Sequence, residues 1–110
     1  MARTQRAAPR PAPTVPDFDP VVHQRVRLGI LSALVAGGAL SFTDLKAVLD
    51  LTDGNLSVHA RKLEEAGYVA VHKRFAERVP LTEYTATEAG RRALDGYLDQ
   101  MESVIRAARG

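Results

Sequence analysis

Residues Leu51–Val69 read LTDGNLSVHARKLEEAGYV, and this stretch decides the fold. Thr52 is an N-cap type, and Asp53 follows in the first turn, where the helix dipole favours a carboxylate. Gly67 stands where a helix ends in the left-handed conformation that glycine takes cheaply. Between these signals Leu56, His59, Ala60 and Leu63 recur at helical spacing and are expected to point inward. The opposite face carries Gly54, Ser57, Val58, Arg61 and Lys62, slim and polar near the start and cationic further on. Such a helix suits a major groove, where Arg or Lys reaches guanine edges or phosphates. An ordinary surface helix shows water a similar face, so the neighbouring elements have to decide.

Just upstream, Ser41 is placed to cap a helix over Phe42–Leu49, with Asp44 at the third position as in a capping box. Phe42, Leu45, Val48 and Leu49 form its apolar face. Only Asp50 and Leu51 separate its end from Thr52, and no glycine lies between. Two helices so joined, the second with a slim polar face, describe a helix-turn-helix. Further upstream, Asp19 or Pro20 is expected to open a helix that continues to about Ala36 and stops at Gly37-Gly38. It carries two apolar stripes, Val21, Leu28, Leu31 and Val35 on one side and Val22, Val26, Ile30 and Ala33 on another. A helix apolar on more than one face is buried on more than one face, which makes it central, a subunit contact, or both.

Downstream, Tyr68–Arg74 alternates like a strand and Leu81–Ala86 reads as its antiparallel partner. Phe75–Pro80 is then the hairpin tip, with Lys73, Arg74 and Arg78 on or beside it. A helix-turn-helix followed by a two-stranded hairpin is the winged-helix arrangement, mainly α with a small β-hairpin. Cations on such a wing suit phosphates or a minor groove, although edge-strand protection also favours them. Thr87, with Glu88 after it, is expected to cap a last helix that runs to about Ala108. Leu94, Tyr97, Leu98, Met101, Val104 and Ile105 recur there at steps of three and four, a heptad-like stripe. On so small a domain that stripe fits a dimer contact, to which Val22 and Val26 are added. The alternative is a helix that folds back on the core.

The composition bounds the rest. The 110 residues, 45% apolar, suit one small domain with a modest core. No cysteine is present, which excludes disulfides, thiolate metal sites and thiol catalysis. No apolar run approaches the roughly 20 residues of a membrane span, and the start has no apolar signal core, so a cytoplasmic protein is expected. The formal charge of +2 is uneven: Arg3, Arg6 and Arg10 precede the first acid, leaving 12 basic residues against 13 acidic ones. Residues 1–18 form a basic, proline-rich arm that composition marks as disordered, either touching DNA or simply solvated. The winged domain takes residues 19–110.

LTDGNLSVHARKLEEAGYVAVHKRF followed by YTATEAGRRAL resembles the bacterial winged-helix transcriptional regulators related to the MarR and ArsR groups, in their short single-domain form. The resemblance covers about Asp19 to Ile105. It implies a homodimer on double-stranded DNA at a near-palindromic operator, with the recognition helix (about 52–66) in the major groove. The wing is placed at about 69–86 and the dimerisation helix at about 87–108. Thr52, Asp53, Gly54, Asn55, Ser57, Arg61 and Lys62 match the family's motif. Val58 stands where a polar side chain is more usual, and its methyls suit a thymine methyl. The wing tip Ala76-Glu77-Arg78-Val79 replaces the usual glycine and paired basic residues, and Glu77 repels phosphate. Ala60 stands where leucine is typical.

Catalysis and cofactors are not expected. His23, His59 and His72 have no partners at metal-ligand spacing. The last helix has Asp95, Asp99 and Glu102 but no histidine, unlike ArsR-type metal sensors. Asp95 and Asp99 share a helix face with no cleft for an acid–base pair, and no G-K-[ST] follows Gly37-Gly38. His59 reads as a half-buried packing residue that donates a hydrogen bond. Two functions stay open. One is a dimeric DNA-binding regulator, a repressor or autoregulator, with a small effector open as a further partner. The other is a winged-helix module that binds another protein, with DNA binding weak or lost.

Overall fold

Every helix begins on a side-chain acceptor that takes a backbone N–H the helix cannot bond internally. Gln24 accepts from Arg27 N at 2.8 Å, Ser41 from Asp44 N at 3.0 Å, Thr52 from Asn55 N at 3.2 Å and Thr87 from Gly90 N at 3.0 Å. The computed structural model describes residues 16–110, so the expected arm lies outside the described residues up to residue 15. The order is α1 (Arg25–Gly37), β1 (Leu40–Ser41), α2 (Phe42–Leu49), α3 (Asp53–Glu65), β2 (Val69–Ala76), β3 (Val79–Ala86) and α4 (Glu88–Arg109). The three strands form one antiparallel sheet in the order β1-β3-β2. This is a winged helix-turn-helix with a long C-terminal helix.

α1 is the central element, touching α2, α3, α4 and β3. Val22, Ile30, Leu31, Leu34, Leu45, Leu56 and Leu63 are fully buried around it. Each such side chain contributes about 1.5–3 kcal/mol on leaving water. The helix starts later than expected, at Arg25 rather than Asp19 or Pro20. Asp19 accepts from Val21 N through its carboxylate and from His23 N through its carbonyl, closing a turn of its own. Gln24 is extended (φ −155°), so the helix begins after it.

The helix-turn-helix connection does without glycine because Asp50 takes the left-handed conformation, φ 52°. Leu51 N bonds Lys46 O at 3.0 Å and Asp50 N bonds Ala47 O at 3.4 Å, the paired bonds of a Schellman end. α3 ends in the same way with Gly67 at φ 82°, Tyr68 N on Leu63 O and Gly67 N on Glu64 O, both 2.9 Å. Thr87 then fastens α4 to that end. Its hydroxyl donates to Gly67 O at 2.6 Å and its N–H to Tyr68 O at 3.0 Å. Gly90 lies so near Tyr68 that a Cβ there would stand 2.1 Å from the Tyr68 carbonyl oxygen.

Two features of the sheet differ from expectation. β1 adds a short third strand, Leu40 against Tyr84 and Ser41 against Glu83. The hairpin tip is two residues, Glu77 and Arg78, rather than Phe75–Pro80. Both carry positive φ, 52° and 69°, as a type I′ turn requires, and pairing continues to Ala76 opposite Val79.

Candidate nucleic-acid interface

The 3.6-residue period of α3 divides its side chains. Leu56, Ala60 and Leu63 are buried against the core. Thr52, Asp53, Gly54, Asn55, Ser57, Val58, Arg61 and Lys62 are exposed. A slim start at Gly54 and Ser57 followed by Arg61 and Lys62 leaves room for a polymer edge, with cations at its margin. Val58 adds an apolar contact in the middle and is 54% exposed. Asp53 is engaged at the helix start, 2.8 Å from Lys46 Nζ on α2. Both side chains are exposed, so this pair orients more than it stabilises.

The wing cations separate by register. β2 alternates, so Val71, Lys73 and Phe75 share one face while His72 and Arg74 share the other. Lys73 turns toward α3 and lines a cleft with Ser57, Arg61, Glu64, Thr82 and Tyr84. Arg74 points the other way, where its Nε sits 3.2 Å from Glu83 Oε1. Arg78 lies in the turn itself. Among the described residues Arg61, Lys62, Lys73 and Arg78 make no ion pair. The structure therefore brings Ser57, Arg61 and Lys73 around one space and sets Arg74 apart from it.

His59 is half-buried, but its bond runs opposite to expectation. Arg27 Nη1 donates to its Nδ1 at 3.1 Å, and a guanidinium only donates, so this nitrogen accepts. Burial holds the His59 pKa below its ordinary value, helped by Arg27 and Lys62 nearby. Arg27 also donates to Val21 O at 2.6 Å and Pro20 O at 3.3 Å, so one side chain joins the N-terminal turn to α3. This role was missed at the level of sequence, where the only sign is a charge between Val26 and Leu28. No group of three or more His, Cys, Asp or Glu that could hold a metal occurs among the described residues.

The residues expected at a dimer contact fall into two sets. Val22, Val26, Leu94 and Tyr97 are buried in the chain's own core. Tyr97 packs on Phe18 and meets His23 Nδ1 through its hydroxyl at 2.9 Å. Leu98 and Ile105 are exposed, at 48% and 42%, while Met101 and Val104 are half-buried. Of the expected contact residues on α4, Leu98, Met101, Val104 and Ile105 thus keep open apolar surface, and Leu94 and Tyr97 do not. No described helix is long and apolar enough to cross a membrane.

Residues 26–105 match the profile of the winged helix DNA-binding domain. The chain belongs to that family. A protein of Methanocaldococcus jannaschii is 40% identical over 78 residues, spanning 71% of this chain and 85% of that one. The structure of a transcriptional regulator homologue from Pyrococcus horikoshii OT3 superposes with a TM-score of 0.76 at 35% identity, over 80% of this chain and 87% of that one. A transcriptional regulator of the MarR family from Enterococcus faecalis V583 shares the fold with a TM-score of 0.71 at 22% identity, over 81% and 80% of the two chains. The two solved structures are thus those of transcriptional regulators or their homologues.

Proposed function

We propose that this winged-helix protein is a sequence-specific DNA-binding regulator, a repressor or autoregulator, acting as a homodimer on a near-palindromic operator. The observation that carries the reading is the exposed face of α3, Gly54, Asn55, Ser57, Val58, Arg61 and Lys62, opposite a fully buried one. In this reading α3 lies in the major groove, Arg61 and Lys62 reach guanine edges or phosphates, and Val58 meets a thymine methyl. Lys73 and Arg78 follow the neighbouring backbone, and Arg74 contributes less because Glu83 holds it. Leu98, Met101, Val104 and Ile105 pair the α4 helices, setting the two recognition helices about 34 Å apart. A small effector would have room in the open cleft between Asp17–Pro20 and α4. The test is selection from a random duplex library followed by anisotropy at two salt concentrations. Enrichment of an inverted repeat, with affinity falling steeply in salt, is the expected result.

Glu77 at the wing tip favours a second reading, a module that binds another protein. A folded dimer that enriches no duplex selects that reading.

A further inference from the structure

The outermost rungs of the wing are apolar on both faces. Phe75 stands opposite Pro80 and Ala76 opposite Val79, and alternation sends the first pair to one face and the second to the other. Phe75 is 72% exposed and Val79 61%, the first more open than any other large apolar side chain described. A ribbon that docks flat on a partner needs an apolar surface on one side only. A thin tip with apolar side chains on both sides suits insertion between two walls.

The tip's net charge does not supply the attraction. Glu77 and Arg78 are adjacent and opposite in sign, so the turn is neutral overall. One rung behind, Arg74 lies on the other face and pairs with Glu83, so the nearest cation on the face of Phe75 is Lys73, two rungs behind, which also lines the cleft of Ser57 and Arg61. A polyanion seated on α3 therefore meets Lys73 first, and Phe75 projects beyond it on the same side.

We propose that Phe75, backed by Pro80, is a wedge that enters the minor groove beside the major-groove site and opens a base step, bending the duplex. The inference rests on the DNA-binding reading above. Apolar side chains inserted in this way unstack a step and kink DNA by about 20–90°. The deformation is cheapest at pyrimidine–purine steps, so the wedge adds sequence preference at a position read by no hydrogen bond. The tight turn serves this directly, because a two-residue connection brings Phe75 and Pro80 into opposition close to the end of the wing.

The probe is a duplex enriched by the full-length wild-type chain from a random library, labelled at both ends so that energy transfer reports its bend. The expected result is a bend with the wild type, its loss with Phe75→Ala together with a roughly tenfold weaker affinity, and its recovery with Phe75→Leu. The slope of affinity against salt stays unchanged in Phe75→Ala, because no phosphate contact is removed. Moving the flanking step from TA to GC weakens the wild type and leaves Phe75→Ala unaffected. A bound duplex that stays straight, or one that Phe75→Ala bends equally, overturns the wedge and leaves the regulator reading intact. Failure of the wild type to enrich any duplex overturns both. Phe75 is exposed, so unchanged melting of Phe75→Ala separates lost contact from lost fold.

Discussion

Arg27 on the central helix and His59 on α3 meet at 3.1 Å, the guanidinium donating to an imidazole nitrogen that has to be bare of its proton. Protonating His59 replaces that bond with a clash of two cations, and Lys62 adds a third charge nearby.

The consequence is a pH dependence with a definite sign. The native pKa of His59 lies below the ordinary 6.5, mainly through burial, and unfolding restores the ordinary value. Between the two values the unfolded chain binds the proton and the native chain does not, so stability rises with pH. The contribution is whole above about pH 6.5 and is lost as pH falls through the native value. Melting at about pH 5 and about pH 8 is expected to show this rise in the wild type and a smaller one in His59→Gln. An equal rise in both proteins would assign the effect to other groups.

Gly90→Ala is expected to destabilise the fold by about 2–3 kcal/mol, in the upper part of the range for overpacking. The added methyl would stand against the Tyr68 carbonyl, backbone that is itself held by Thr87. Urea unfolding monitored by circular dichroism measures this. A change below about 0.5 kcal/mol, the scale of an ordinary surface substitution, would mean the contact relaxes freely.

Arg61→Ala combined with Lys62→Ala removes two exposed cations that make no ion pair among the described residues. Melting is expected to hold within the shift of about ±0.5 kcal/mol usual for surface changes. Affinity for the selected duplex falls sharply, and the salt slope drops by about 1 for each phosphate contact removed. A large drop in melting temperature would place these side chains in the fold rather than at its surface.

Leu98→Asp combined with Ile105→Asp places two carboxylates on the exposed stripe of α4 without touching Leu94 or Tyr97 in the core. Sedimentation is expected to show a monomer with unchanged helix content, and the inverted repeat is expected to bind as weakly as a single half-site. A dimer that survives the double variant would locate the contact elsewhere.

Helices α2, α3 and α4 were legible because Ser41, Thr52 and Thr87 cap them and because apolar residues recur at the helical period. The start of α1 was not, since Asp19 and Pro20 imitate a helix opening while glutamine at position 24 is a weak cap signal. β1 is two residues long, too short for any period to register. The outer face of α3 followed from spacing alone. The facing of Lys73 and Arg74 did not, because strand register depends on the turn, and Glu77-Arg78 lacks the Asn or Gly that marks a type I′ connection. The Arg27–His59 bond joins residues 32 apart, beyond the reach of local patterns.

The knot of hydrogen bonds at Gly67, Tyr68 and Thr87 has one more implication. The end of α3, the root of the wing and the beginning of α4 all leave from it. Helix and wing are thereby set like the jaws of a caliper whose screw has been tightened, with their opening fixed at the base. A partner lying across both jaws is gauged for width as well as chemistry, and the one that bends to fit does the yielding.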